Sequence, residues 1–353
     1  MKFMKALLLS FVILFSGQLM AQDIHWSLFN MSPLTLNPAN TGGFEGTFRV
    51  GGIYRDQARS VLGNLGYQTP SIYVDAPILM VGKRNWIGVG ASIYSDKAGA
   101  GALSNSSALF SVAFHAPTDR KGKSVFSFAL QGGYSQRSVD TEKLNFADES
   151  EFLGGAGFGV AGSTSFDDAR ISNNGYLDFG AGIMYKTEVN KQTRVKFGLS
   201  TRHVPANYGL IESNENRVAN NPDVIAFKLP MRFNLHGNFD FDLNKKWVLS
   251  PKFLFTTLKK NTNIQVQMMS GYHFNKKENV TLNFGLGYRL RDAAEFLLAM
   301  DYKSLRVGAS YDMTLSGLND INNTVGGFEI GVSYIATIFK SADVKPVIFC
   351  PRF

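Results

Sequence analysis

Phe227-Lys228-Leu229-Pro230-Met231-Arg232-Phe233-Asn234-Leu235-His236-Gly237-Asn238-Phe239-Asp240-Phe241-Asp242-Leu243 places an apolar side chain at every odd position, with Gly237 the only gap. The even positions carry Lys, Arg, Asn, His, Asp and one Pro. Strict alternation is the period of a β-strand, whose successive side chains leave opposite faces. Strands of soluble proteins run to about 5–6 residues, and this stretch has seventeen. A strand that crosses a bilayer at a tilt needs roughly 9–11 residues and then protrudes into water. The pattern therefore predicts a transmembrane β-barrel strand with phenylalanine and leucine in lipid and ionisable groups in the lumen.

Similar segments recur along the chain. Working back from this stretch they include Phe126/Phe128/Leu130, Phe110/Val112/Phe114 and Ile72/Val74/Ala76. Working forward they include Ile264/Val266/Met268, Phe296/Leu298/Met300 and Phe328/Ile330/Val332/Tyr334. Fourteen such segments are expected, an even number, as single-chain outer-membrane barrels have. Several end in Tyr, which suits an interfacial aromatic girdle. The connections after even-numbered strands are short, such as Gly82-Lys83, Asn244-Lys245 and Lys303. Those near 137–175, 203–226 and 314–325 are long. Periplasmic turns of such barrels are short and extracellular loops long, so the pattern places both termini in the periplasm.

The ends read differently. Lys2 and Lys5, the apolar run Ala6 to Phe15 and the small residue Ala21 have the form of a secretory signal peptide over residues 1–21. No cysteine stands directly after the apolar run, and no later run of eighteen apolar residues could form a spanning helix. Residues 22–46 contain Asn37-Pro38 and Gly42-Gly43, which break any strand. Their Trp26, Leu28, Phe29, Leu34 and Leu36 are too apolar for a free tail. A plug-like segment folded into or across the periplasmic mouth is expected there, followed by a barrel over 47–339 and a periplasmic tail over 340–353. The expected location is the outer membrane, with lipid as a partner.

Removing Lys2 and Lys5 from 36 basic residues leaves 34 against 28 acidic ones, a net charge of +6. The basic residues are scattered over separate turns rather than gathered on one face, which argues against nucleic acid. Cys350 is single, so no intrachain disulfide forms. Gly157-x-Gly159-x-x-Gly162 has the letters of a dinucleotide fingerprint without a strand before it or a helix after it. No Walker, zincin or nucleophile-elbow motif is present. His25, His115, His203, His236 and His273 lack metal-ligand spacing, and three of them, His115, His236 and His273, fall at lumen positions. No catalytic residue, metal or cofactor is expected.

Three sets of residues are candidates for contact with partners. Asp148, Glu149, Glu151, Asp167 and Asp168 make a long loop acidic; carboxylates also suit calcium, though a solvated acidic surface is the better account of them. Lys245, Lys246, Lys276 and Lys277 make the short turns basic. Arg232, Asp240, Arg289 and Glu329, with Lys228, Arg306, Asp301 and Asp312, face the lumen. Those inward charges fit either the lining of a solute channel or ion-pair networks that close a plugged lumen.

Two stretches resemble a family. Gln22-Asp23-x-x-x-Ser27, Pro33, Leu36-Asn37-Pro38-Ala39, Gly42, Arg49 and Tyr54-Arg55-x-Gln57 are similar to the mature N-terminus of the PorP/SprF family. Gly326-Gly327-Phe328-Glu329-Ile330-Gly331-Val332-Ser333-Tyr334 and Cys350-Pro351-Arg352-Phe353 resemble its C-terminus. Ala58 departs from the aromatic expected after Gln57. The resemblance implies an outer-membrane component of the type IX secretion and gliding machinery of Bacteroidetes, without catalytic residues. It implies as partners the translocon, the periplasmic lipoprotein ring and a secreted cargo protein such as an adhesin. The alternative function is an outer-membrane channel or hydrophobic-solute transporter.

Overall fold

The computed structural model describes residues 24–57, 66–98, 103–138, 174–204, 230–259, 261–275, 280–315 and 325–338. Fourteen antiparallel strands close on themselves. They are β1 (Phe48–Gln57), β2 (Tyr67–Val81), β3 (Asn85–Ala98), β4 (Leu103–Pro117), β5 (Ser124–Ser138), β6 (Asn174–Glu188) and β7 (Thr193–Arg202). The second half is β8 (Arg232–Asp242), β9 (Trp247–Leu258), β10 (Asn261–Asn275), β11 (Val280–Arg289), β12 (Ala293–Tyr302), β13 (Leu305–Thr314) and β14 (Val325–Ala336). Every strand pairs with its sequence neighbours, and β1 pairs with β14 in the register Val50 to Tyr334. Closure leaves no unpaired edge, which is what a sheet surrounded by lipid requires.

The alternation sorts the two faces. Ile72, Phe110, Val112, Leu130, Phe179, Phe233, Leu235, Leu286 and Leu298 are exposed on the outside. Arg232, Asn234, His236, Asn238 and Asp240 are buried on the inside of β8. Outward Tyr54, Tyr134, Tyr288 and Tyr311 ring one end of the strands and Tyr185, Tyr272, Tyr302 and Tyr334 the other, as interfacial girdles do. The opening stretch is shorter in strand than its alternation predicts. β8 begins at Arg232, and Pro230 and Met231 precede it outside the ladder. Pro230 has no N–H to donate; residues 227–229 lie outside the described set.

Among the described residues no helix is long and apolar enough to cross a membrane. Arginine at Phe233, which is lipid-facing one residue into β8, is expected to destabilise the barrel by less than the about 2–4 kcal/mol of a midplane position. Leucine at the inward Arg232 should leave lipid insertion less affected. Cysteine labelling provides the check: Phe233→Cys should resist a membrane-impermeant reagent, and labelling there would refute the register.

Candidate functional site: the occupied lumen

Residues 24–46 run through the lumen from one end of the barrel to the other. They contain a 3-10 turn at Phe29–Met31, a one-turn helix α1 at Pro33–Leu36 and a second 3-10 turn at Pro38–Asn40. Pro33 and Pro38 start α1 and the second 3-10 turn, where a missing N–H costs nothing. Asn37 caps the second turn by accepting from Ala39 N at 2.9 Å. A segment this irregular leaves backbone groups unpaired, and buried groups of that kind must find partners. Inward side chains of the strands supply them.

At the end of the lumen where the long connections attach, Ile24 O accepts from Arg232 Nη1 at 2.9 Å. Ser27 sits in a cluster of charges. Ser27 N donates to Glu329 Oε1 at 2.7 Å and Leu28 N to Glu329 Oε2 at 2.8 Å. Ser27 Oγ donates to Asp312 Oδ1 at 2.7 Å and accepts from Arg289 Nη2 at 2.9 Å. Gln267 Nε2 donates to Ser27 O at 2.7 Å. Around these contacts Arg55 pairs with Glu329 and with Asp312, and Arg289 with Asp312 and Glu295. All are buried. Alternating the two arginines with the three carboxylates compensates charges that would be costly alone.

Halfway down, Leu36 O accepts from Ser200 Oγ at 2.8 Å and Asn234 Nδ2 at 3.1 Å. Asn37 Nδ2 donates to Ile183 O at 3.0 Å and lies 3.2 Å from His236 Nε2. At the end with the short turns, Trp86 Nε1 donates to Gly42 O at 2.9 Å and Gly42 N donates to Asp75 Oδ2 at 2.8 Å. His115 Nε2 donates to Thr41 O at 2.7 Å, leaving Nδ1 to accept from Ser127 Oγ. Lys186 Nζ reaches Gly43 O at 2.6 Å. Beside them Arg49 pairs with Asp75 at 2.8 Å. Gly42 takes φ +65°, and a Cβ there would stand 2.5 Å from the Gly88 Cα; two glycines let the two backbones touch.

The lumen holds apolar packing as well. Ile24, Trp26, Leu28, Phe29, Met31 and Leu36 join inward Ile53, Tyr94, Leu109, Leu254, Met269, Leu297 and Ala299 in one buried cluster. The segment reaches further than a mouth plug: it fills the length of the barrel and brings Ile24 to the end away from the short turns. Its irregular backbone can go so deep because the lumen wall carries a donor or acceptor at nearly every level it passes.

The lumen candidates separate. Arg289 and Glu329 come together at Ser27, and Arg232 holds Ile24 O. Asp240 stands elsewhere, accepting from Asn238 Nδ2 at 3.0 Å and from Ser250. Lys245 and Lys246 are exposed in the β8–β9 turn. Asp148, Glu149, Glu151, Asp167, Asp168, Lys276, Lys277, Lys228 and the Gly157–Gly162 motif lie outside the described residues. Ser27, Asn37, Arg55 and Asp75 make essential contacts that charge patterning alone did not single out. The usable signal was apolar Ile53, Leu109, Leu254, Met269 and Leu297 at inward positions of strands whose lumen face is otherwise polar.

Fold and lumen together define an outer-membrane β-barrel with an internal N-terminal segment. The model of the type IX secretion system membrane protein PorP/SprF matches residues 19–334, and the chain belongs to that family. No curated protein matches it. Among solved structures, the P. putida toluene transporter TodX is similar at 12% identity and TM-score 0.48, over 86% of this chain and 93% of that one. A KdgM porin is similar at 9% identity and TM-score 0.34, over 81% of this chain and 98% of that one.

Proposed function

We propose that the protein is a non-catalytic anchoring component of the type IX secretion machinery, exported by its signal peptide and working as an occupied barrel rather than as an open pore. Family membership together with the N-terminal segment threaded through the lumen carries this reading. In it the short turns face the periplasm and dock the lipoprotein ring, and the long acidic connections at the other rim receive secreted cargo such as an adhesin. Gliding is the process such cargo would serve.

Charge makes the two rims separable. Exposed Lys245 and Lys246, with Lys276 and Lys277, present positive charge on short turns. The segment carrying Asp148, Glu149, Glu151, Asp167 and Asp168 is acidic. Complementary charge at a rim chiefly sets association rate and its salt dependence. Glutamine at the four lysines is expected to lose the periplasmic ring in pull-downs from detergent-solubilised membranes, while cargo is retained. Deleting residues 150–168 is expected to lose cargo while the ring is retained. If both variants lose the same partner, or neither loses one, the two-rim assignment fails. A stable open conductance of the unaltered protein in planar bilayers would instead favour the channel.

A further inference from the structure

On the short-turn half of the lumen, the N-terminal segment packs chiefly against β4, β5 and β6. Gly42 and Gly43 meet Gly88, His115 and Lys186 there. The neighbouring wall from β6 to β9 carries cations. Lys186 on β6 stands directly opposite Lys196 on β7, Lys196 opposite Asn238 on β8, and Asn238 opposite Lys252 on β9. Strands lie about 4.8 Å apart, so the Lys196 and Lys252 backbones are about 10 Å apart on one level of the wall. Flexible four-carbon stems let both ammonium groups reach a common point.

Ion pairing has been arranged for the neighbours but not for these two. Asp75 is taken by Arg49, Asp301 by Arg306, and Asp242 by Arg194. Asp240 accepts from Asn238 and Ser250. Among the described residues neither Lys196 nor Lys252 forms an ion pair, and the Lys252 ammonium lies 3.2 Å from the Met269 thioether. Both lysines are partly exposed although they point inward, and the Arg306 side chain beyond them keeps 40% exposure. Like charges directly opposite each other on a sheet are destabilising. Lys186 and Lys196 have that arrangement in a wall with abundant polar alternatives.

We propose that Lys196 and Lys252 form a binding site for an oxyanion group, phosphate or carboxylate, that enters the lumen from the short-turn end. An oxyanion between the two ammonium groups would accept charge-assisted hydrogen bonds from both and relieve the Lys186–Lys196 repulsion. The site is independent of which secretion partner the barrel serves.

The test uses the full-length protein in detergent, titrated with inorganic phosphate, sodium acetate or sodium chloride at matched ionic strength while thermal stability is followed. Phosphate, acetate or both should raise Tm saturably beyond chloride, and the difference between them assigns the oxyanion. K196Q and K252Q should each weaken the apparent affinity about tenfold, the loss of one charge-assisted hydrogen bond. Both variants should fold, since each removes a like charge, and their anion-free Tm verifies it. K259Q on the exposed β9–β10 turn should leave the titration unchanged. An equal effect of chloride would mean screening, and a response retained in the K196Q/K252Q double variant would mean an adventitious ion only; either overturns the proposal.

Discussion

Glu329→Ala is expected to release residues 24–31 from the lumen while the barrel stays closed. The Glu329 carboxylate accepts from Ser27 N at 2.7 Å and Leu28 N at 2.8 Å, and pairs with buried Arg55. Removing it strips two backbone donors of their acceptor and takes from Arg55 one of its two carboxylates. Breaking a buried pair from one side costs about 3–5 kcal/mol. The β13–β14 and β14–β1 ladders do not depend on that side chain, so the loss should fall on the internal segment. The expected readouts are new protease cleavage between Ile24 and Met31 in the folded protein and a rise in conductance in planar bilayers. Glu329→Gln retains one acceptor oxygen and should give a smaller effect of the same kind. Unchanged protection in Glu329→Ala would show that the apolar contacts of Trp26, Phe29 and Met31 hold the segment without the charges.

The ends of the chain that resemble the PorP/SprF family meet at that point. Ser27 and Arg55 belong to the N-terminal stretch and Glu329 to the C-terminal one, and Glu329 contacts both others. Leu36-Asn37-Pro38, Gly42 and Arg49, also in the N-terminal stretch, form the middle and lower contacts. The motifs are thus the two halves of the barrel closure and the segment it encloses. That gives a physical reason for their composition: two arginines, a glutamate, a capping asparagine with its proline, and a glycine at positive φ.

The sequence makes some of this legible and hides the rest for a definite reason. A period of two states which face a residue occupies, so Phe233 and Leu235 are read as outward and Arg232, Asp240, Arg289 and Glu329 as inward from the alternation alone. The period does not state height along the barrel or the stagger between strands. Arg55, Asp312 and Glu329 converge on Ser27 only through the registers Arg55 to Glu329 and Ser310 to Glu329. Nor does it locate a segment without a period: Trp26 and Leu28 read as buried, but nothing local says against which strands. Asp240 and Arg289 look equivalent as inward charges and separate only when the ladders are known.

Gly88→Val is expected to open the opposite end of the lumen and to do so by steric exclusion alone. A Cβ at Gly88 would overlap the Thr41 carbonyl oxygen and stand 2.7 Å from the Gly42 Cα. These are backbone atoms held in place by His115, Trp86 and Asp75, so no rotamer change can make room. Valine itself suits a strand, and its direction is inward, so β3 should keep its pairing. Overpacking of this kind costs about 1–3 kcal/mol, and displacing the segment forfeits the three hydrogen bonds in addition. Cleavage should then appear near Thr41 to Gly43 and not between Ile24 and Met31, because Glu329, Asp312 and Arg55 still clamp Ser27. The reverse pattern is expected of Glu329→Ala. If each variant exposes the whole of residues 24–46, the segment leaves the lumen as one cooperative unit, and two separate anchorages are disproved. Cleavage confined to the mutated end establishes that the barrel can free one end of its internal segment while it retains the other.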